Sequence, residues 1–281
     1  MEKTKLILVC DTKNEIDDQF AIAYAHHSPE IELLGVISTQ NNRKNGPNSV
    51  DIYHSEAVKI LNLANSNVLA YKGAGKPFDG MPEKSEGAQF IIKKLQELDR
   101  LSSFNSEPPP VVAVTGPATD IINVILTAPE ICEKANFIWL GGVKPGIFGR
   151  LSRFETNFAG DIAAATKLKQ TPNLRLTTIP FLGTSHSLVA NTGKMQRQLR
   201  RAEKPLHSYL ALLIDWNRER KKLNNLSRRP FSNYWLFADL AAIAVAKNIG
   251  IKSRINSAHG QIITRINPRE IFDDFNKCLG L

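Results

Sequence analysis

"LVCDTKNEIDDQFAIAYA" (residues 8–25) runs from an apolar stretch into a helical pattern and sets carboxylates at the join. Asp11 follows the apolar residues directly, and Asp17 and Asp18 stand side by side further on. The run "LILVC" (6–10) is apolar at every position, as a strand covered on both faces requires. Residues 17–27 then read as a helix. A strand that hands over to a helix is the repeating unit of a parallel sheet wrapped by helices.

The same alternation extends outward from this stretch. "IELLGVIST" (31–39), "NVLAY" (67–71), "VVAVT" (111–115), "FIWLGG" (137–142) and "LRLTTI" (174–179) read as strands. Helices are predicted over 48–64, 87–100, 118–127 and 159–169. The expected fold class is α/β: an open, doubly wound, mostly parallel sheet flanked by helices. The last third, about 203–281, reads as mainly helical, with helices over 203–223 and 234–248 and turn formers between them. "SSFNSEPPP" (102–110) reads as a surface loop, because a proline run cannot join a sheet interior. No repeat or sharp change in composition divides the chain, so residues 1–281 are expected to form a single domain.

The chain has 281 residues, 42% of them hydrophobic, enough for a substantial core. Its formal net charge is +9, with basic residues crowded into 194–204, 218–222 and 228–229. Without zinc-finger spacing, an RNP-like motif or aromatic–basic interleaving, this charge reads as a solvated helix face, and nucleic acid is not an expected partner. Cys10, Cys132 and Cys278 are odd in number and widely spaced, which predicts free thiols in a reducing compartment. The apolar run near the N-terminus is too short for a signal peptide, and no segment approaches the roughly 18 apolar residues of a membrane span. A cytoplasmic location without membrane association is expected.

In open parallel sheets, ligands collect outside the carboxyl ends of the strands. Asp11, Asp17 and Asp18 would all face that crevice. Carboxylates in a first helical turn also serve as caps and as partners of the helix dipole. Three on one loop repel each other unless a cation or protons intervene. Hard oxygen donors of this kind suit Ca²⁺ or Mg²⁺. Two other strand-end chemistries fail here. A haloacid-dehalogenase-type phosphatase needs an aspartate where Lys13 stands, and a dinucleotide loop needs glycines that residues 11–18 lack.

At this point the sequence resembles the nucleoside hydrolases and their relatives. The usual family signature after the first strand is DxDPGxDD; "CDTKNEIDD" (10–18) resembles a variant branch with a longer "NEIDDQ" loop. Matched from the right, Asp17 and Asp18 take the place of the DD pair and Asp11 that of the second aspartate, while the first falls on Val9. "LLGVISTQNN" (33–42) resembles the second strand with its sugar-binding asparagine, here Asn42 or Asn41. "AYKGAGKPF" (70–78), "AVTGPATDI" (113–121) and "FIWLGG" (137–142) resemble successive strand-end segments, and the family's metal-binding carbonyl falls on Thr115. "RFETNFAGDIAAA" (153–165) carries the family's Glu and Asn onto Glu155 and Asn157, and "LFADLAAIA" (236–244) makes Asp239 the distant metal ligand.

The resemblance implies a Ca²⁺-dependent hydrolase of the N-glycosidic bond of a ribonucleoside or related N-riboside. Asp11, Asp18, Asp239 and the Thr115 carbonyl would hold the ion, and Asp11 would also serve as general base. Asp17, Asn42, Glu155 and Asn157 would bind the sugar. It further implies a small-molecule nucleoside as partner and a homo-oligomer, dimer or tetramer. The chain departs from the family at Ala238, where many members carry a histidine that assists the leaving base. That departure keeps open a protein that binds ribose or nucleosides with weak or no hydrolysis, and a metal-dependent hydrolase of another glycoside or a phosphorylated sugar. Trp216, Arg228, Arg229, Tyr234 and Trp235 are candidates for contacting the base, although core packing or surface exposure is the more usual role of such residues. His54 and His186 fall near predicted strand ends.

Overall fold

A computed structural model describes residues 2–102, 108–144, 154–223, 233–257 and 260–281. Strand β1 (Thr4–Cys10) lies in the middle of an eight-stranded sheet. Its five apolar residues are fully buried and alternate between two cores: Leu6, Leu8 and Cys10 on one face, Ile7 and Val9 on the other. Burial on both faces is the physical reason for the unbroken apolar run in the sequence.

The remaining parallel strands are β2 (Ile31–Ser38), β3 (Ala70–Lys72), β4 (Val111–Val114), β5 (Asn136–Leu140) and β6 (Leu176–Ile179). A short antiparallel pair, β7 (Val189–Asn191) and β8 (Tyr234–Leu236), stands apart from them. Two late strands, β9 (Ile251–Ser257) and β10 (Gly260–Ile266), complete the main sheet. Its order is β3-β2-β1-β4-β5-β6-β10-β9, parallel throughout except for the β10–β9 pair. The order reverses direction between β1 and β4, creating the switch point at which open α/β sheets bind ligands.

Helices cover both faces, as the doubly wound expectation requires. Helices α1 (Asp17–His27), α2 (Asn42–Asn45), α3 (Ser49–Leu63), α4 (Glu86–Ser102) and α5 (Thr119–Thr127) arise in the first half. Helices α6 (Thr156–Gly160), α7 (Ile162–Gln170), α8 (Thr192–Arg201), α9 (Pro205–Leu223), α10 (Leu240–Ala246) and α11 (Pro268–Leu279) follow. α1 is buried all round from Asp17 to Ala25, so it is a core helix and not an amphipathic one. Its Phe20 meets Phe237 edge-on, ring centroids 4.9 Å apart. That contact anchors the segment leading into α10 beside the start of α1.

The structure departs from the sequence reading mainly after residue 155. The helix predicted over 159–169 is two helices, parted at Asp161, whose carboxylate accepts the Ala164 N–H at 2.9 Å and starts a new first turn. The helix predicted over 234–248 begins only at Leu240, because Tyr234–Leu236 pairs with β7. The expected mainly helical last third also contributes β9 and β10 to the main sheet. β9 is exposed along most of its length and shows no apolar run, which hides an edge strand from pattern reading. Cys10, Cys132 and Cys278 are free thiols. No helix among the described residues is long and apolar enough to cross a membrane.

Candidate active site

The loop after β1 is built from its own side chains. The Asn14 N–H donates to the Asp11 carbonyl at 3.1 Å, closing a turn in which Lys13 takes φ +71°. That conformation favours glycine or asparagine, so the lysine must be held by its contacts. Lys13 pairs with the buried carboxylate of Glu56 on α3 at 3.3 Å, and the Thr12 hydroxyl donates to the Tyr53 carbonyl at 2.7 Å. Arg220 of α9 donates to the Asn14 carbonyl at 3.0 Å. The loop is thus pinned from two helices while its carboxylates point into the crevice.

Asp11 leaves the end of β1 and is 2% exposed. Its Oδ2 accepts from Asn41 at 2.7 Å and from Asn14 at 3.0 Å. The Thr115 hydroxyl, at the end of neighbouring β4, donates to Asp18 Oδ1 at 2.7 Å. Gly116 permits this closeness: a Cβ there would stand 2.6 Å from the Thr39 methyl and 3.3 Å from the Asp11 Cβ. Asp18 also lies within hydrogen-bonding reach of Asp11 and Asp239, and Asp17 within reach of Asp239. Two stretches far apart in sequence therefore bring four buried aspartates to one cavity of about 200 Å³, and a third supplies Thr115.

Burial dominates the electrostatics. It raises Asp11 to about 7, against the opposing hydrogen bonds from Asn41, Asp18 and Asn14. Asp17, Asp18 and Asp239 are also pushed well up, by burial first and then by neighbouring carboxylates. The Cys10 thiol beneath them is raised by burial and by the charges of Asp18, Asp11 and Asp239, so it stays protonated. No lysine or arginine lines the cavity among the described residues. A buried carboxylate cluster without a cationic partner is costly unless protons or a metal ion neutralise it. The donor set, carboxylates and hydroxyls, suits a hard divalent cation. Among the described residues, however, no three Asp, Glu, His or Cys side chains are already arranged to hold a metal.

The other expected site residues fall as follows. Glu155 and Asn157 line the same cavity. The Glu155 carboxylate accepts the N–H groups of Gly142, Asn157 and Phe158 at 2.8–2.9 Å, which oppose the upward push of burial on its pKa. The Asn157 amide donates to the carbonyls of Thr115 at 2.6 Å and Leu140 at 2.9 Å. Thr115 thus meets the site through both its hydroxyl and its carbonyl. Of the two asparagines, the resemblance favours Asn42, but Asn41 touches Asp11; Asn42 donates instead to the Gly75 carbonyl at 3.0 Å and accepts from Ser49. Neither His54 nor His186 lines the cavity. Trp216 is exposed and stacks on Arg220, 4.8 Å away, Tyr234 is exposed in β8, and Trp235 packs against the core. Arg228 and Arg229 lie outside the described residues. Sequence reasoning missed Asn14, Glu15 and Phe181 as lining residues. Asn14 and Glu15 were within the quoted loop, whereas Phe181 could have been found only from its place just after β6.

Residues 6–271 match the family of inosine-uridine preferring nucleoside hydrolases. This chain belongs to that family. Among curated relatives it is similar to the Schizosaccharomyces pombe protein C17G8.02, 25% identical over 234 residues, 76% of this chain and 68% of that one. Among solved structures it is similar to an inosine-guanosine nucleoside hydrolase, with a TM-score of 0.76 and 14% identity over 99% of this chain and 98% of the other. It is also similar to a purine-preferring ribonucleoside hydrolase from Gardnerella vaginalis, with a TM-score of 0.70 and 19% identity over 98% of each chain. Family membership and the shared fold support a glycosidase-type hydrolase acting on N-ribosides in general.

Proposed function

We propose that this nucleoside hydrolase family member cleaves the N-glycosidic bond of a ribonucleoside or related N-riboside with Ca²⁺ bound among its aspartates. The observation that carries the reading is the meeting of Asp11, Asp17, Asp18 and Asp239 in one buried cavity, with no cationic side chain in its lining among the described residues. Asp11, Asp18, Asp239 and the Thr115 carbonyl would hold the ion, whose Lewis acidity, when it is bound, acts on a water and on the ribose hydroxyls.

The chain's own groups supply the rest. Asp11 takes the proton from the attacking water, and Asn41 and Asn14 fix the orientation of its carboxylate. Asp17 and Asn157 present acceptors to the sugar hydroxyls. Glu155 is committed to three backbone N–H groups, so it shapes the rim and orients Asn157. Asn42 contributes from outside the cavity, by bracing the Asn41 segment through Ser49. Burial of the reacting centre strengthens each of these interactions relative to water. The partner is a small-molecule nucleoside or N-riboside, and the proposed assembly is a homo-oligomer.

A second reading rests on Ala238. Ala238, Leu236 and Phe181 make one side of the cavity apolar, and among the described residues no histidine lines it. A protein that binds ribose or nucleosides and hydrolyses them weakly fits that lining. A reducing-sugar assay over a nucleoside panel, with calcium and then with chelator, decides between them. Sugar release that needs calcium and vanishes in Asp11→Asn supports hydrolysis. Calorimetric ribose binding with no turnover of any nucleoside supports the binding protein.

A further inference from the structure

A second cavity, of about 430 Å³, opens at the opposite end of the sheet, where β4, β5 and β6 begin, between those strands, α10 and the β9–β10 hairpin. Its polar lining includes Arg175, Arg254, Asn136 and Gln261, and among the described residues no aspartate or glutamate contributes to it. Ile138, Leu176 and Val245 form an apolar floor. The size lies within the roughly 300–1,000 Å³ of small-molecule sites.

The two arginines are placed but not neutralised. Arg254 projects from β9 and is held by two uncharged amides: Nη2 donates to Asn248 Oδ1 at 2.9 Å, and Nη1 to Gln261 Oε1 at 3.4 Å. Arg175 stands immediately before β6, with its backbone spent on Cys132 and Phe137. Among the described residues, neither guanidinium forms an ion pair with a carboxylate. The neighbouring Lys252, by contrast, is paired with Glu270 on the following helix. Two unpaired guanidinium forks at one mouth repel each other and are geometrically suited to a bidentate oxyanion.

We propose that this cavity binds a phosphate monoester of sugar-phosphate or nucleotide size. The dianionic phosphate sits between Arg175 and Arg254, and the organic body lies on the Ile138, Leu176 and Val245 floor, within reach of the Asn136 amide. A dianion matches the two cations, and a body with both polar and apolar faces matches the rest of the lining. The cavity shares no residue with the aspartate site, so the inference stands apart from the proposed hydrolysis.

The test is calorimetric titration of the full chain, free of divalent cations, with ribose 5-phosphate, adenosine 5′-monophosphate and inorganic phosphate. One ester bound per chain is expected, with affinity at least tenfold weaker in the Arg175→Ala/Arg254→Ala double variant and unchanged in Asp239→Ala. Both arginines are exposed, and a thermal melt verifies that the double variant is folded. The Arg175→Lys/Arg254→Lys variant keeps the charge without the forks and should fall between the two. Equal affinity for both esters identifies a sugar phosphate, and tighter nucleotide binding identifies a nucleotide; either supports the site. Ester binding that survives loss of both arginines, that disappears in Asp239→Ala, or that occurs with none of the probes overturns it. Inorganic phosphate binding as tightly as the esters overturns the role of the floor.

Discussion

The two ends of the sheet make opposite use of the same strands. Among the described residues, four aspartates at the carboxyl ends of β1 and β4 crowd a small cavity without a cationic side chain, and at the amino ends of β4, β5 and β6 two arginines flank a larger one without a carboxylate. The acidic end is buried, fully hydrogen-bonded at Asp11 Oδ2, and braced by α3 and α9. The basic end is solvent-facing, on an exposed edge strand. Charge that is buried must be neutralised within the site, whereas charge at a surface is screened by water and salt. A parallel sheet therefore concentrates chemistry at one end by burying it, and leaves the other open to recognition.

The contrast breaks first at Asp11. If its carboxylate is the base, Asp11→Asn should lower kcat by about 10²–10⁴-fold with the cavity otherwise intact, as steady-state sugar release will show. A loss below tenfold would move the base to another group. Asp239→Ala removes a carboxylate that only the fold brings into the cluster, and calcium affinity measured by calorimetry should fall by about 100-fold or more. Unchanged affinity would take Asp239 out of the site.

At the basic end the backbone is the sensitive part. Gly260 has φ +111°, and a Cβ there would stand 2.1 Å from the Leu176 carbonyl oxygen. Gly260→Ala should cost about 1–3 kcal/mol in denaturant unfolding, because both the conformation and the space are wrong. An unchanged midpoint would show that β10 can shift away from β6.

The smallest effect separates the ends by pH. Burial raises Asp11 to about 7 and pushes its three neighbours in the same direction. A carboxyl raised in the folded state contributes stability that is complete below its unfolded value of about 4 and is lost as pH climbs through the folded one. Without divalent cations, the melting temperature should fall between about pH 5 and pH 8. Calcium should raise it more at pH 8, where the carboxylates are ionised. Equal calcium shifts at both pH values would show that the cluster is not the binding site.

Legibility in the sequence followed the range of the interactions. Strands buried on both faces must be apolar throughout, so β1, β2, β4 and β5 could be read locally. α1 was equally plain, since apolar residues continue from its acidic first turn. β9 was not, because an exposed edge needs no apolar face. Tyr234–Leu236 looked like the start of a helix until its pairing with Val189–Asn191, a long-range contact, made it a strand. Motif order singled out Asp11, Asp17, Asp18, Thr115, Glu155, Asn157 and Asp239, and these seven line one cavity. Motif order points to Asn42, but the adjacent Asn41 is the one whose amide meets Asp11, because neighbouring side chains leave the backbone in different directions.

By itself the sequence determined the strand–helix alternation and the acidic turn after β1, because burial and turn formation act over a few residues. Motif order groups Asp239 with Asp11 and Asp18 by resemblance, but only the tertiary structure supplies the packing that brings them, with Asp17, into one cavity. That meeting depends on Phe20 packing against Phe237, and on β4 lying beside β1 with no intervening strand. It also decided that Glu155 is held by three backbone N–H groups and that Arg175 and Arg254 share a cavity. A residue's neighbours along the chain set its local conformation, but its charge state and partners depend on what the fold places around it.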